Sequence, residues 1–143
     1  MKVLNRLRNT LASLGILGLM AMSAYAQPKI EKVPPVATSP ASGKEMFTAY
    51  CAVCHGPDGK GDGPAAAALK KAPANLTQLS AKNGGKFPDA VVARYISGDE
   101  TTAAHGSRDM PIWGKVFHSM ENNPAVDELR IRNLTNYVKT LQN

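Results

Sequence analysis

Residues 51–55 read Cys51-Ala52-Val53-Cys54-His55, and these five positions carry most of the chemistry legible in the chain. Two thiols separated by two residues, with an imidazole directly after the second, form CxxCH, the attachment signature of c-type haem. The thiols add to the two vinyl groups of the porphyrin, and the adjacent histidine is held under the iron as an axial ligand. Cys51 and Cys54 are the only two cysteines in the sequence, so one haem c is the most the chain can carry covalently.

Other uses of a CxxC pair fit less well. A thioredoxin-like redox pair wants a preceding strand in a βαβ context, whereas the stretch before Cys51 has a helical pattern. Zinc would need a second ligand pair; the other histidines, His105 and His118, are far from His55 in sequence. A Cys51–Cys54 disulfide would close a small, strained loop of little stabilising value.

The first residues read as a targeting segment. Lys2, Arg6 and Arg8 precede an apolar run from Leu11 to Met22, and Ala24-Tyr25-Ala26 is an A-x-A cleavage site. The run is short for a membrane span. Residues 1–26 are therefore expected to be a signal peptide cleaved after Ala26, with periplasmic export and no membrane span in the mature chain. Losing three of the 17 basic residues leaves 14 against 11 acidic ones, a net charge of +3 in place of +6. No basic cluster exceeds Lys70-Lys71 and no aromatic stripe interleaves it, which argues against nucleic acid. A mildly basic surface could still steer an acidic redox partner.

Residues 27–41 contain four prolines and no helical or strand period, and are expected to form an extended, flexible tail. Residues 42–143 are then one small domain. Ser42 and Glu45 make a capping box, after which Phe47, Tyr50, Cys51 and Cys54 fall on one helical face. Residues 56–64, Gly-Pro-Asp-Gly-Lys-Gly-Asp-Gly-Pro, are a turn-rich loop. Lys60 and Leu69 stand where a calcium loop needs acidic ligands, so an EF-hand is excluded.

Ala65–Lys71 could form a short helix, and Ala72–Thr77 is extended or turning. A third helix is expected from Pro88, with Gly98 as its C-cap. Residues 99–109 read as a polar loop. The last helix opens at Asn123-Pro124 and carries Val126, Leu129, Leu134, Tyr137, Val138 and Leu141 as its apolar stripe. The expected fold class is all-α, about four helices with long loops.

An iron held by His55 has a second axial position. Met20 and Met22 leave with the signal, and Met46 lies on the helix that carries the proximal side. Met110 is the favoured candidate, because Pro111 stiffens its loop and biases its backbone towards an extended form. Met120, His105 and His118 are the rivals.

Taken together, Gly43, Phe47, the CAVCH motif, the GPDGKGDGP loop, Ala-Pro-Ala-Asn-Leu at 72–76, Met-Pro-Ile-Trp-Gly at 110–114, Leu134 and Tyr137 resemble the monohaem class I cytochromes c. The resemblance covers about residues 42–142. It implies the cytochrome c fold packed round one haem, ligation by His55 and Met110, and electron transfer. It further implies that Gly43 and Phe47 pack on Leu134 and Tyr137, and that the carbonyl near Pro73 accepts from Nδ1 of His55. Leu76 would line the haem pocket, while Trp113 and Asn75 would sit by a haem propionate.

An electron carrier, not an enzyme, is the expectation. No Ser/His/Asp set or paired-carboxylate site is evident in the sequence. The partners would be redox proteins met by a monomer or a loosely associated subunit. Two alternatives use the same residues. One is the electron-accepting subunit of a periplasmic dehydrogenase; the other is a haem-based ligand-binding or sensor domain, against which Met110 argues.

Overall fold

The computed structural model describes residues 35–99 and 110–143, within one compact unit that spans residues 34–143. The signal segment, residues 27–34 of the tail and most of the 99–109 loop, with His105, lie outside the described residues. The described residues contain helices and turns and no strand, in agreement with the all-α expectation.

The first helix, α1, occupies residues 43–55 in three consecutive pieces: an α segment Gly43–Met46, a π-helical turn Phe47–Cys51 and an α segment Ala52–His55. Ser42 caps it, its hydroxyl accepting from the Glu45 N–H at 3.2 Å. The capping box is not closed on Ser42 itself; Glu45 takes the N–H of Ser39 at 3.3 Å. The π turn arises because the Ala52 N–H reaches back five residues to the Phe47 carbonyl. This widened turn carries Phe47 and Tyr50 into the core and ends at Cys51, the first of the two thiols.

Four more helices follow among the described residues: α2 (Leu79–Lys82), α3 (Asp89–Ser97), α4 (Trp113–Glu121) and α5 (Pro124–Thr140). Gly98 ends α3 in the left-handed region, as its place in the sequence predicts. Pro88 is the N-cap of α3 and not its first residue. Asn123 caps α5, accepting from Ala125 N–H at 3.1 Å, and Pro124 takes the first turn.

Two expectations need correction. The Ala65–Lys71 segment makes only a 3-10 turn at Ala66–Ala68, with no side-chain cap to nucleate more. Helix α4 is the second departure: it lies between the third and last expected helices, where the sequence predicts none. Its apolar spacing, Trp113, Val116, Phe117 and Met120, is helical; its low-propensity residues (Gly114, Val116, Ser119) hide it.

Helix α5 packs against α1, α3 and α4. Where it crosses α1, Gly43 lies so close that a Cβ there would stand 2.2 Å from the Asn133 carbonyl oxygen. Phe47 meets Tyr137 with ring centroids 5.2 Å apart. The core is completed by Met46, Tyr50, Phe87, Ile96, Phe117, Leu134 and Val138.

At the other side of this crossing the interior is polar. Arg130 is 1% exposed, the largest fully buried side chain among the described residues. Its guanidinium donates to the carbonyl and hydroxyl of Thr38 at 3.0 and 3.1 Å, touches Met46 Sδ, and pairs with Glu121 from α4. The Thr38 hydroxyl lies 2.8 Å from the Tyr50 hydroxyl, which donates to the Val36 carbonyl at 2.6 Å. Asn133 holds the Pro40 carbonyl at 2.8 Å.

The flexible tail expected over residues 27–41 is therefore corrected at its end: residues 36–40 are a strap bonded to α1 and α5. The packed domain begins before Ser42 because a buried cation requires acceptors and the strap backbone supplies them.

Two substitutions check this architecture. Gly43→Ala forces a methyl against a backbone carbonyl that cannot turn away, and chemical denaturation should show a loss of about 2–3 kcal/mol. Tyr50→Phe deletes the hydroxyl between Thr38 and Val36. It should cost about 1 kcal/mol and open residues 35–41 to limited proteolysis.

Candidate haem site

Cys51, Cys54 and His55 occupy the last turn of α1. A helix end leaves carbonyls without intrahelical donors, and here the glycine-rich loop supplies them. The N–H of Gly56 bonds to Ala52, Gly61 to His55, Gly63 to Cys54 and Ala65 to Val53, at 2.7–3.1 Å. The GPDGKGDGP loop is thus a backbone clamp on the CxxCH turn.

The clamp extends to the next segment. Gly61 has φ +89, and a Cβ on it would lie 2.5 Å from the Pro73 carbonyl oxygen. The Leu76 N–H donates to the Gly59 carbonyl at 2.7 Å. Between these two points the chain presents the Ala74 carbonyl to the His55 Nδ1 at 3.0 Å. The acceptor is thus Ala74, one residue after Pro73; the Pro73 carbonyl faces Gly61 instead.

This bond holds the proton on Nδ1, fixes the ring and leaves Nε2 as the nitrogen with a free lone pair. Burial pushes the protonation of His55 below the ordinary histidine range, and the Ala74 bond opposes it less strongly. The ring is therefore a neutral imidazole near pH 7, with its Nε2 lone pair available.

The two sulfurs are unpaired and half-buried. Burial pushes the Cys51 thiol up to about 12, with Cys54 adding to the shift.

Other sequence-predicted residues fall as follows. Leu76 is half-buried and packs against the core. Asn75 turns its Oδ1 to the N–H and hydroxyl of Thr77, at 2.9 and 2.8 Å, capping the 3-10 turn Leu76–Gln78; only its Nδ2 is left to serve a ligand. Trp113 opens α4 and stacks on Tyr50 with centroids 5.2 Å apart, and on Phe117 at 5.8 Å. Tyr50 precedes Cys51, so this stack links α4 to the CxxCH turn.

Among the distal candidates, Met110 is 43% exposed on the segment leading into α4, followed by Pro111 and by Ile112, 42% exposed. Met120 packs against the core. His118 is exposed, its Nδ1 2.8 Å from Asp127 Oδ2. Met46 is buried and in contact with Arg130.

The family model that matches the chain is described as Cytochrome c and covers residues 40–142. No curated protein and no solved structure matches it significantly. The described residues fit the covalent haem c that this family implies. Two unpaired thiols lie one helical turn apart on a clamped helix end, and a neutral imidazole beside them is tethered through Nδ1.

The contact at Gly61 can be isolated from its backbone angle. Gly85 has nearly the same φ, +87, with nothing within 4 Å of a Cβ. Gly85→Ala should cost about 1 kcal/mol and Gly61→Ala about 2 kcal/mol more, compared by thermal or denaturant unfolding.

Proposed function

This chain belongs to the cytochrome c family, a family of haem-based electron-transfer proteins, and on that premise we propose that it is a periplasmic carrier of single electrons. In this reading haem c is attached through Cys51 and Cys54 and ligated by His55 and Met110. The bound haem supplies the iron that alternates between ferric and ferrous states. The observation that carries the reading is the His55 Nδ1–Ala74 bond at 3.0 Å, which leaves Nε2 as the only ring nitrogen free to ligate.

The remaining work belongs to the protein. The loop clamp keeps His55 in one position, so little reorganisation accompanies a change of charge. A thioether at Met110 favours the ferrous state and raises the potential. Two observations support Met110 over its described rivals: Met120 is committed to the core, and His118 is turned to Asp127. Met110 and Ile112 are apolar side chains open to a bulky apolar group, with Pro111 between them stiffening the segment.

Export rests on the segment ending at Ala26, and no helix among the described residues is long and apolar enough to cross a membrane. The partners are redox proteins, docked through a small, transient interface.

The oxidised protein should show a weak near-infrared sulfur-to-iron band, and the reduced protein should not bind carbon monoxide readily. In Met110→Ala the band should vanish and carbon monoxide should bind. A band that persists in Met110→Ala assigns the ligand elsewhere. A high-spin wild-type protein that binds carbon monoxide would replace the carrier by a ligand-binding domain.

A further inference from the structure

The Ala74 carbonyl belongs to a segment without regular structure, and a hydrogen-bond acceptor can hold His55 only as firmly as it is held itself. Upstream it is anchored by Pro73 packed on Gly61. Downstream the anchor is Leu76, whose N–H is bonded to Gly59 and whose carbonyl accepts from Nε2 of Gln142 at 2.7 Å. Gln142 lies just beyond α5, 66 residues away in sequence.

The Gln142 amide is used completely on this side. Its Oε1 accepts from the Ser80 N–H at 2.9 Å, supplying a partner that the first turn of α2 lacks. Its Nε2 also donates to the Val138 carbonyl at 2.9 Å, which ties the side chain back to the end of α5. Reversing the amide would set donor against donor and acceptor against acceptors, so one orientation satisfies all three partners. Asn143 adds a second tie: its N–H donates to the Thr77 carbonyl at 3.1 Å and its Nδ2 to the Thr77 hydroxyl at 3.2 Å. Thr77 is in turn the residue capped by Asn75.

We infer that Gln142 is a positioning residue for the proximal histidine: it fixes Leu76, and through it the Ala74 carbonyl, and so sets the strength of the His55 Nδ1 hydrogen bond. The inference rests on the proposed ligation by His55. A well-held acceptor draws on the Nδ1 proton and makes the imidazole a more basic ligand, which favours ferric iron. A loosened acceptor makes it less basic and favours ferrous iron.

The test uses the purified haem-bearing protein. Nδ1–H exchange of His55 is followed by proton NMR in the ferrous state, and the redox equilibrium by titration. In Gln142→Ala the exchange should accelerate about tenfold and the equilibrium move about threefold towards the ferrous form, the scale expected for loss of an outer support of a ligand. Gln142→Glu retains an acceptor for Ser80 but no donor for Leu76, and should accelerate the exchange in the same way; its added negative charge itself favours ferric iron, so this variant is read by exchange alone.

Ile131→Val, a core trimming that touches none of these bonds, should lower stability and leave both readouts alone. Unchanged exchange in both Gln142 variants, an unchanged potential in Gln142→Ala, or equal shifts in Ile131→Val overturns the inference while the proposed function stands. A wild-type spectrum without histidine ligation overturns both.

Discussion

The carbonyls at the end of α1 must find donors, and the way they do so governs the rest of the site. An α-helix that ends in solvent would leave its last turn to fray, and Cys51, Cys54 and His55 are that last turn. Four N–H groups from a nine-residue glycine-rich loop and Ala65 close it instead. The loop can follow so tight a path because Gly61 adopts a positive φ and presents no side chain to Pro73. The same path brings residues 73–76 under His55. Helix capping and the orientation of the His55 ring are one interaction system here, and a change in either is felt by the other.

The core braces this system from behind. Gly43 and Phe47 seat α1 on α5, and Tyr50 carries the contact on to Trp113 and Phe117 of α4. Arg130 does for the other face what Phe47 does here, with polar means. A buried guanidinium is costly unless its donors are met. Thr38 and Glu121 meet several of them, and the Phe117 ring lies 5.8 Å from the guanidinium carbon. In doing so Arg130 joins the strap at residues 36–40, α1 and α4 to α5. The aromatic stack from Trp113 to Tyr50 also joins the segment that bears Met110 to the turn that bears Cys51.

Features written in local chemistry were legible in the sequence. CxxCH, the Ser42 cap, Gly98 and Asn123-Pro124 each declare themselves within a few residues, and the structure places the caps where the residue types demand. The Gly43 and Phe47 crossing followed from the family resemblance. What escaped depends on distant partners. Arg130 looks like a charged residue beside an apolar stripe; its burial is decided by Thr38, 92 positions earlier. Gln142 reads as a polar residue after a helix, and its role depends on a loop whose path no local signal gives. Ala74 and Pro73 differ by one residue in an extended segment, a distinction that only the Gly61 contact decides. Helix α4 carries an apolar period, masked by the Met-Pro segment before it and by its own low-propensity residues.

A clamped helix end, a tethered neutral imidazole and two unpaired thiols make a site suited to holding one haem in one geometry while its charge changes. The most direct test of that account is the mass of the protein purified from the periplasm of a haem-attaching bacterium, followed by peptide mapping across residues 51–55. The account predicts the mature chain plus one haem, with both Cys51 and Cys54 as thioethers. Free thiols, or a disulfide between them, in a folded and exported protein would contradict it.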